Sequence, residues 1–297
     1  METKFNVSLA KYTSYKVGGS AKIYCKPKSL PELSKFIKEL PFNEEIFWLG
    51  LGSNVLIRDN GFDGAVIHTN NVLNSIEIIE KSVNGLLIKV GAGVSCAKIA
   101  KFCAQHNLID GLWFAGIPGT MGGALCMNAG AFGGETWSHV VAVDVINRQG
   151  IIMHQLPENY QIGYRTVLNI NNMPYNLQQW FVAGTLFFKF ADTPGNNQEK
   201  IKLLLQKRNI SQPIGTLNCG SVFKNPPNNS AGQLIETAKL KGKRFGGAVV
   251  SDKHANFIIN AGAATANDIE QLINLIKLQV FVTHKILLKT EVKIIGK

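Results

Sequence analysis

The chain has 297 residues, 45% of them hydrophobic and 17% charged, a balance that supplies a sizeable core, excludes an intrinsically disordered protein, allows one domain and favours two or three. The formal net charge of +11 favours anionic partners. The lysines are scattered apart from KLKGKR at Lys239–Arg244, and no zinc-finger spacing or RNA-binding motif occurs, so small phosphorylated ligands fit better than nucleic acid.

Taken in chain order, the opening METKFNVSLAKYTSY lacks the apolar core of a signal peptide. Ser29 and Glu32 have the spacing of a capping box, with Pro31 in the first turn and Leu33, Phe36, Ile37 and Leu40 on one helical face. Ile46–Ile67 reads as three apolar strands separated by a GLGSN turn and a DNGFDG turn, and Asp59–Gly61 carries a hairpin signal. Two strands are expected from Ser75 to Val90, joined near Asn84–Gly85. A helix is expected from Ser95 to Gln105 with Cys96, Ile99, Ala100 and Cys103 buried.

Strands follow the glycine-rich centre at about Val140–Asn147, Ile151–His154 and Trp180–Phe190. The polar stretch Ala191–Glu199 is the best linker candidate. The remainder predicts helices over Gln198–Arg208 and from about Ala231, and a strand around Asn256–Asn260. Thr265 and Asp268 predict a capping box that opens a long helix burying Ile269, Leu272, Ile273, Ile276 and Val280, followed by a strand at Glu291–Ile295. The class is α+β, with central strands closer to antiparallel than to a βαβ order. Five scattered cysteines form no CxxC pair and no metal-ligand spacing, and no apolar run is long enough to span a bilayer, so a soluble, cytoplasmic protein with reduced thiols and no metal is expected.

The segment Gly111–Glu135, GLWFAGIPGTMGGALCMNAGAFGGE, is the most informative. Glycine costs backbone entropy, and a run this dense lets bare N–H groups approach an anion. Gly116, Gly119 and Gly122 are spaced GxxGxxG, not the GxGxxG of a Rossmann site, and no P-loop sequence exists. Taken alone, GLGSN reads equally as a tight turn between strands. Together the two glycine-rich turns can face one elongated diphosphate, which favours a dinucleotide.

LGLGSNVLIRDNGFDGAVI, the Gly111–Glu135 segment, GYR at Gly163–Arg165, GSVFKNPP at Gly220–Pro227, the run Gly232–Asn260 and the terminal EVKIIG occur in one order. Together they closely resemble the UDP-N-acetylenolpyruvoylglucosamine reductase family, flavoenzymes of bacterial peptidoglycan precursor synthesis, in its shorter form. The resemblance implies a two-part FAD-binding domain of the vanillyl-alcohol-oxidase (PCMH) type, with subdomains at 1–70 and 71–192, followed by an α+β substrate-binding domain at 193–297. It implies non-covalent FAD, NADPH as reductant, a UDP-sugar enolpyruvyl ether as substrate and a monomer. Cofactor contacts are then expected from Gly50, Gly52, Ser53 and Asn54 in the first turn. In the second they are expected from Gly116, Ile117, Pro118, Gly119, Thr120, Gly122, Gly123 and Gly130.

The reaction that the resemblance implies adds hydride to the outer carbon of the enolpyruvyl double bond and leaves negative charge on the inner carbon and its carboxylate. By resemblance Arg165 holds the carboxylate, Glu291 donates to it as a protonated acid, and Ser221 protonates the carbon. Lys224 and Asn225 can stabilise the resulting alkoxide. Tyr164, Asn225 and His254 are candidate substrate contacts, and Arg208 can reach the diphosphate. Read without the resemblance, Arg165 is a surface arginine, Glu291 a charge leading into an edge strand, Ser221 a turn serine and His254 a structural histidine. The chain departs from the family pattern at Trp113, at Val167 and at Leu288–Thr290 before Glu291. A flavin oxidase on the same fold, with Cys126 as a possible tether, and a non-enzymatic nucleotide-binding protein are the alternative readings.

Overall fold

The computed structural model describes residues 1–169, 179–192 and 195–297, and the chain divides into two compact units. Unit 1 comprises Met1–Thr3, Cys25–Leu51 and Ile67–Lys207; unit 2 comprises Lys4–Tyr24, Gly52–Val66 and Arg208–Lys297. Within the expected linker Ala191–Glu199, residues 193 and 194 lie outside the described residues. Among the described residues no helix is long and apolar enough to cross a membrane.

Unit 1 is built on a five-stranded sheet in the order Ile152–Gln155, Val140–Asn147, Gln179–Lys189, Gly85–Gly91, Ile76–Lys81. Every neighbouring pair is antiparallel, as the sequence suggests. Helix α1, Leu30–Glu39, begins at Ser29, whose hydroxyl accepts the Glu32 N–H. The reciprocal half of the expected capping box is absent: the Glu32 carboxylate takes the Lys28 N–H at 2.9 Å instead. Helix α2, Cys96–Gln105, is capped by Ser95 and buries Cys96, Ile99, Ala100 and Cys103, which join Phe114, Phe188 and the sheet in one core.

His68 in this unit is 6% exposed. Burial, reinforced by the Lys26 charge, lowers its pKa from 6.5 to about 4. The folded state therefore keeps the imidazole neutral while the unfolded state takes up a proton. Stability contributed by the neutral ring is intact above pH ~6.5 and is lost as the pH falls from there toward 4. At pH 5 the loss is about 2 kcal/mol. Thermal melts from pH 7.5 to pH 5 should show it, and His68→Gln should flatten that part of the profile; an unchanged slope in the variant would refute the assignment.

Unit 2 carries Arg244–Phe245, Ala248–Val250 and Ile258–Asn260 as an antiparallel sheet. Helix α4, Asn197–Ser211, runs from unit 1 into this unit. Two further helices, α5 (Ala231–Thr237) and α6 (Ala266–His284), complete it. Thr265 and Asp268 form the full reciprocal capping box of α6, and Ile269, Leu272, Ile273, Ile276 and Val280 are buried. They share a core with Tyr15, Leu56, Val250 and Ile258.

The strand Val55–Ile57 pairs in parallel with Lys293–Ile295. Arg58 secures this seam, donating to both Glu270 oxygens on α6 at 2.8 Å and to the Gly296 carbonyl at 2.8 Å. The hairpin expected at Asp59–Gly61 is thus corrected. The turn forms, but Val55–Ile57 pairs with the late strand, and the Asp59 carboxylate accepts the Ala266 and Asn267 N–H groups at 2.9 Å each at the start of α6.

Candidate active site

The glycine-rich segment of unit 1 folds as a 3-10 turn over Ile109–Gly116 and a short helix, α3, over Met121–Met127. Some glycines serve close packing: a Cβ on Gly134 would lie 2.5 Å from the Trp113 ring, and one on Gly50 would lie 2.5 Å from Thr120 Oγ1. Gly50 of the first turn and Thr120 of the second therefore come together. Gly123 differs, because a Cβ there would meet nothing within 4 Å among the described residues.

The start of α3 is only partly tied down. Met121 and Gly122 donate to Val94 and Ala92 carbonyls at 2.8 Å each. The Gly123 N–H, the Thr120 N–H and the Thr120 hydroxyl have no protein partner among the described residues, although Thr120 is 2% exposed. Donors gathered at a helix start suit phosphate oxygens, so these residues fit a dinucleotide's diphosphate. Ile117, Pro118 and Gly119 form the approach to this helix, with the Gly119 carbonyl accepting the Cys96 N–H at 2.9 Å. Gly52, Ser53 and Asn54 belong to unit 2. Gly52 has φ +72° and packs against the Tyr12 carbonyl, and Ser53 has no protein hydrogen bond among the described residues.

Tyr164 and Arg165 form the two-residue turn of the hairpin Tyr160–Gly163/Thr166–Asn169 in unit 1. Arg165 adopts φ +52°. Its guanidinium donates to the Asn128 carbonyl at 3.3 Å and the Gly130 carbonyl at 3.1 Å, and lies 5.2 Å from the Tyr164 ring centroid. Carbonyls at the C-terminal end of α3 attract this cation. Asn128, 1% exposed, closes the arrangement by donating to Glu135 at 3.0 Å and the Gly163 carbonyl at 3.3 Å while accepting the Trp137 N–H at 3.0 Å.

Ser221 and Glu291 belong to unit 2, where the backbone brings their segments side by side. The Glu291 N–H donates to the Val222 carbonyl at 2.8 Å, and Asn54 Nδ2 donates to the Glu291 carbonyl at 3.1 Å. On the other side, Asn256 accepts the Val222 N–H at 2.9 Å with its carbonyl and the Phe223 N–H at 2.9 Å with Oδ1. Its Nδ2 donates to the Phe223 carbonyl at 2.8 Å. Gly220 precedes the serine at φ +73°, and the Ser221 hydroxyl has no protein hydrogen bond among the described residues. Among the described residues the serine is therefore a hydroxyl without a protein partner, carried on a fixed backbone.

The remaining candidates have local partners. The Lys224 N–H donates to the Lys289 carbonyl at 2.9 Å. Asn225 Oδ1 accepts the Ala231 N–H at 3.0 Å at the start of α5. Burial lowers the His254 pKa, and its Nδ1 accepts the Asn256 N–H at 3.2 Å, so the neutral ring braces the turn that carries Asn256. Arg208, its pKa lowered by burial, donates from Nε to Gln212 at 2.9 Å. Cys219 is 3% exposed and burial pushes its thiol up to about 12, which fits a packing role. Asn128 and Asn256 do not stand out in the sequence, since each is a single polar residue in an apolar or turn-like stretch.

Residues 212–295 match the family model for the UDP-N-acetylenolpyruvoylglucosamine reductase C-terminal domain, and residues 21–155 match the FAD binding domain. UDP-N-acetylenolpyruvoylglucosamine reductase of Coxiella burnetii is 49% identical over 97% of this chain and 94% of that protein. The Legionella pneumophila enzyme of the same name is 48% identical over 98% and 93%. The crystal structure of UDP-N-acetylenolpyruvylglucosamine reductase from Thermus caldophilus superposes with a TM-score of 0.79 at 28% identity, covering 99% of this chain and 98% of that one. The chain belongs to the UDP-N-acetylenolpyruvoylglucosamine reductase family.

Proposed function

We propose that this FAD-containing, NADPH-dependent oxidoreductase reduces the enolpyruvyl group of UDP-N-acetylglucosamine enolpyruvate to UDP-N-acetylmuramate, with Ser221 as proton donor. Bound FAD supplies the hydride that NADPH provides. The donors of Thr120 and Gly123 hold the cofactor's diphosphate, with Gly50 allowing the close approach. Arg165 binds the substrate carboxylate, held ready by α3 and Asn128. Glu291, protonated in the complex, donates to the anionic intermediate, and Ser221 places its proton on the inner carbon. Lys224 and Asn225 lie next along the chain to steady the alkoxide, while Tyr164, His254 and Arg208 border the nucleotide sugar. We assign 1–70 and 71–192 to the cofactor and 193–297 to the substrate, and take the enzyme to act as a cytoplasmic monomer.

The observation that carries this reading is the Ser221 hydroxyl, which has no hydrogen-bond partner among the described residues and stands on a backbone fixed by Asn256 on one side and the Glu291 N–H on the other. The purified protein should be yellow, should bleach anaerobically with NADPH and should regain its colour when the enolpyruvyl ether is added. A colourless protein, or bleached protein that the ether leaves unchanged, would refute the proposal.

A further inference from the structure

We propose that Asn256 is the positioning residue for proton delivery, setting where the Ser221 hydroxyl stands relative to the segment that carries Glu291. The inference rests on the proton-donor reading of Ser221. Asn256 is 4% exposed, and its side chain is spent entirely on one peptide unit pair: Oδ1 takes the Phe223 N–H at 2.9 Å and Nδ2 reaches the Phe223 carbonyl at 2.8 Å. Its own carbonyl takes the Val222 N–H, the peptide joined directly to Ser221, at 2.9 Å. The opposite side of the same stretch is read by Glu291, whose N–H meets the Val222 carbonyl at 2.8 Å.

Val222 is thus held between Asn256 and Glu291, and among the described residues Ser221 has no side-chain bond of its own to fix it. A proton donor must stand within hydrogen-bond reach of the carbon it protonates, and a shift of about 1 Å costs about 100-fold in rate. A buried primary amide is suited to this task, because it supplies a donor and an acceptor in one plane without charge. A carboxylate in its place would retain the acceptor for the Phe223 N–H and confront the Phe223 carbonyl with negative charge.

The test is rapid-mixing measurement of the two half-reactions in the FAD-loaded enzyme. Asn256→Asp should leave flavin reduction by NADPH unchanged and slow reoxidation by the enolpyruvyl ether about 10- to 100-fold. Asn256→Ser, which removes the clamp without adding charge, should slow the same step. In a Ser221→Ala background neither substitution should slow reoxidation further, because the group being positioned is gone. A merely structural role predicts equal losses in both half-reactions, or the same penalty with and without Ser221, and either result overturns the proposal. If Ser221→Ala itself spares reoxidation, the proton-donor reading fails. If Ser221→Ala is selective and neither Asn256 variant is, the positioning role alone fails.

Discussion

Ser221→Ala should leave the reduction of bound flavin by NADPH at the rate of the unmodified enzyme and slow reoxidation by the enolpyruvyl ether about 1,000-fold. The separation follows from the chemistry of the two halves. Hydride arrival at the flavin needs no acid from this loop, whereas the inner carbon of the substrate ends the reaction only when a proton reaches it. The hydroxyl makes no hydrogen bond to the described protein, so its removal should leave the loop as it is and the melting temperature unmoved. Stopped-flow absorbance of the flavin resolves both steps. Equal slowing of the two, or reoxidation within a few-fold of the unmodified rate, would remove Ser221 from the mechanism.

Substitutions at Gly123 should separate folding from cofactor binding by a comparably large margin. A helical glycine costs about 1 kcal/mol relative to alanine, and a Cβ built here would have no atom of the described residues within 4 Å. If packing were the only demand, any small side chain would be welcome there. Gly123→Val should therefore purify folded, with the far-ultraviolet spectrum of the unmodified protein and a melting temperature no lower than that of flavin-stripped protein. It should have lost nearly all its flavin, because on the proposed reading the added methyls fill the open space beside Gly123 that the diphosphate needs. Full flavin occupancy in this variant would place the diphosphate elsewhere.

Local chemistry made much of the fold legible. Ser95 and Thr265 cap helices where the sequence places them, and the buried stripe Ile269 to Val280 follows from its spacing. The central antiparallel strands likewise follow from alternation and turn residues. Partner choice was not legible. Val55–Ile57 reads as a strand, but a period of two does not say which strand lies beside it, and Asp59–Gly61 has the composition of a hairpin turn while its carboxylate serves a distant helix start.

The candidate site divides in the same way. Motif resemblance singles out Arg165, Ser221 and Glu291, because their residue types suit an anionic, proton-requiring intermediate. The supports, Asn128 and Asn256, act through backbone groups far along the chain: Asn256 is 33 residues from Phe223 in sequence, and Asn128 is 35 from Gly163. No spacing rule announces such a bond.

The parallel seam between Val55–Ile57 and Lys293–Ile295 bears on how the protein is made. Arg58 and the Gly296 carbonyl it binds are 238 residues apart. A ribosome that has released the apolar Val55–Ile57 must also translate the long intervening chain before their hydrogen-bonding partner Lys293–Ile295 emerges, whereas most of unit 1, at Ile67–Lys207, is contiguous and can condense in the meantime. Nascent chains should therefore expose an unpaired, fully apolar edge for much of their synthesis, which makes unit 2 the part most dependent on chaperones and most prone to clump when expression is forced.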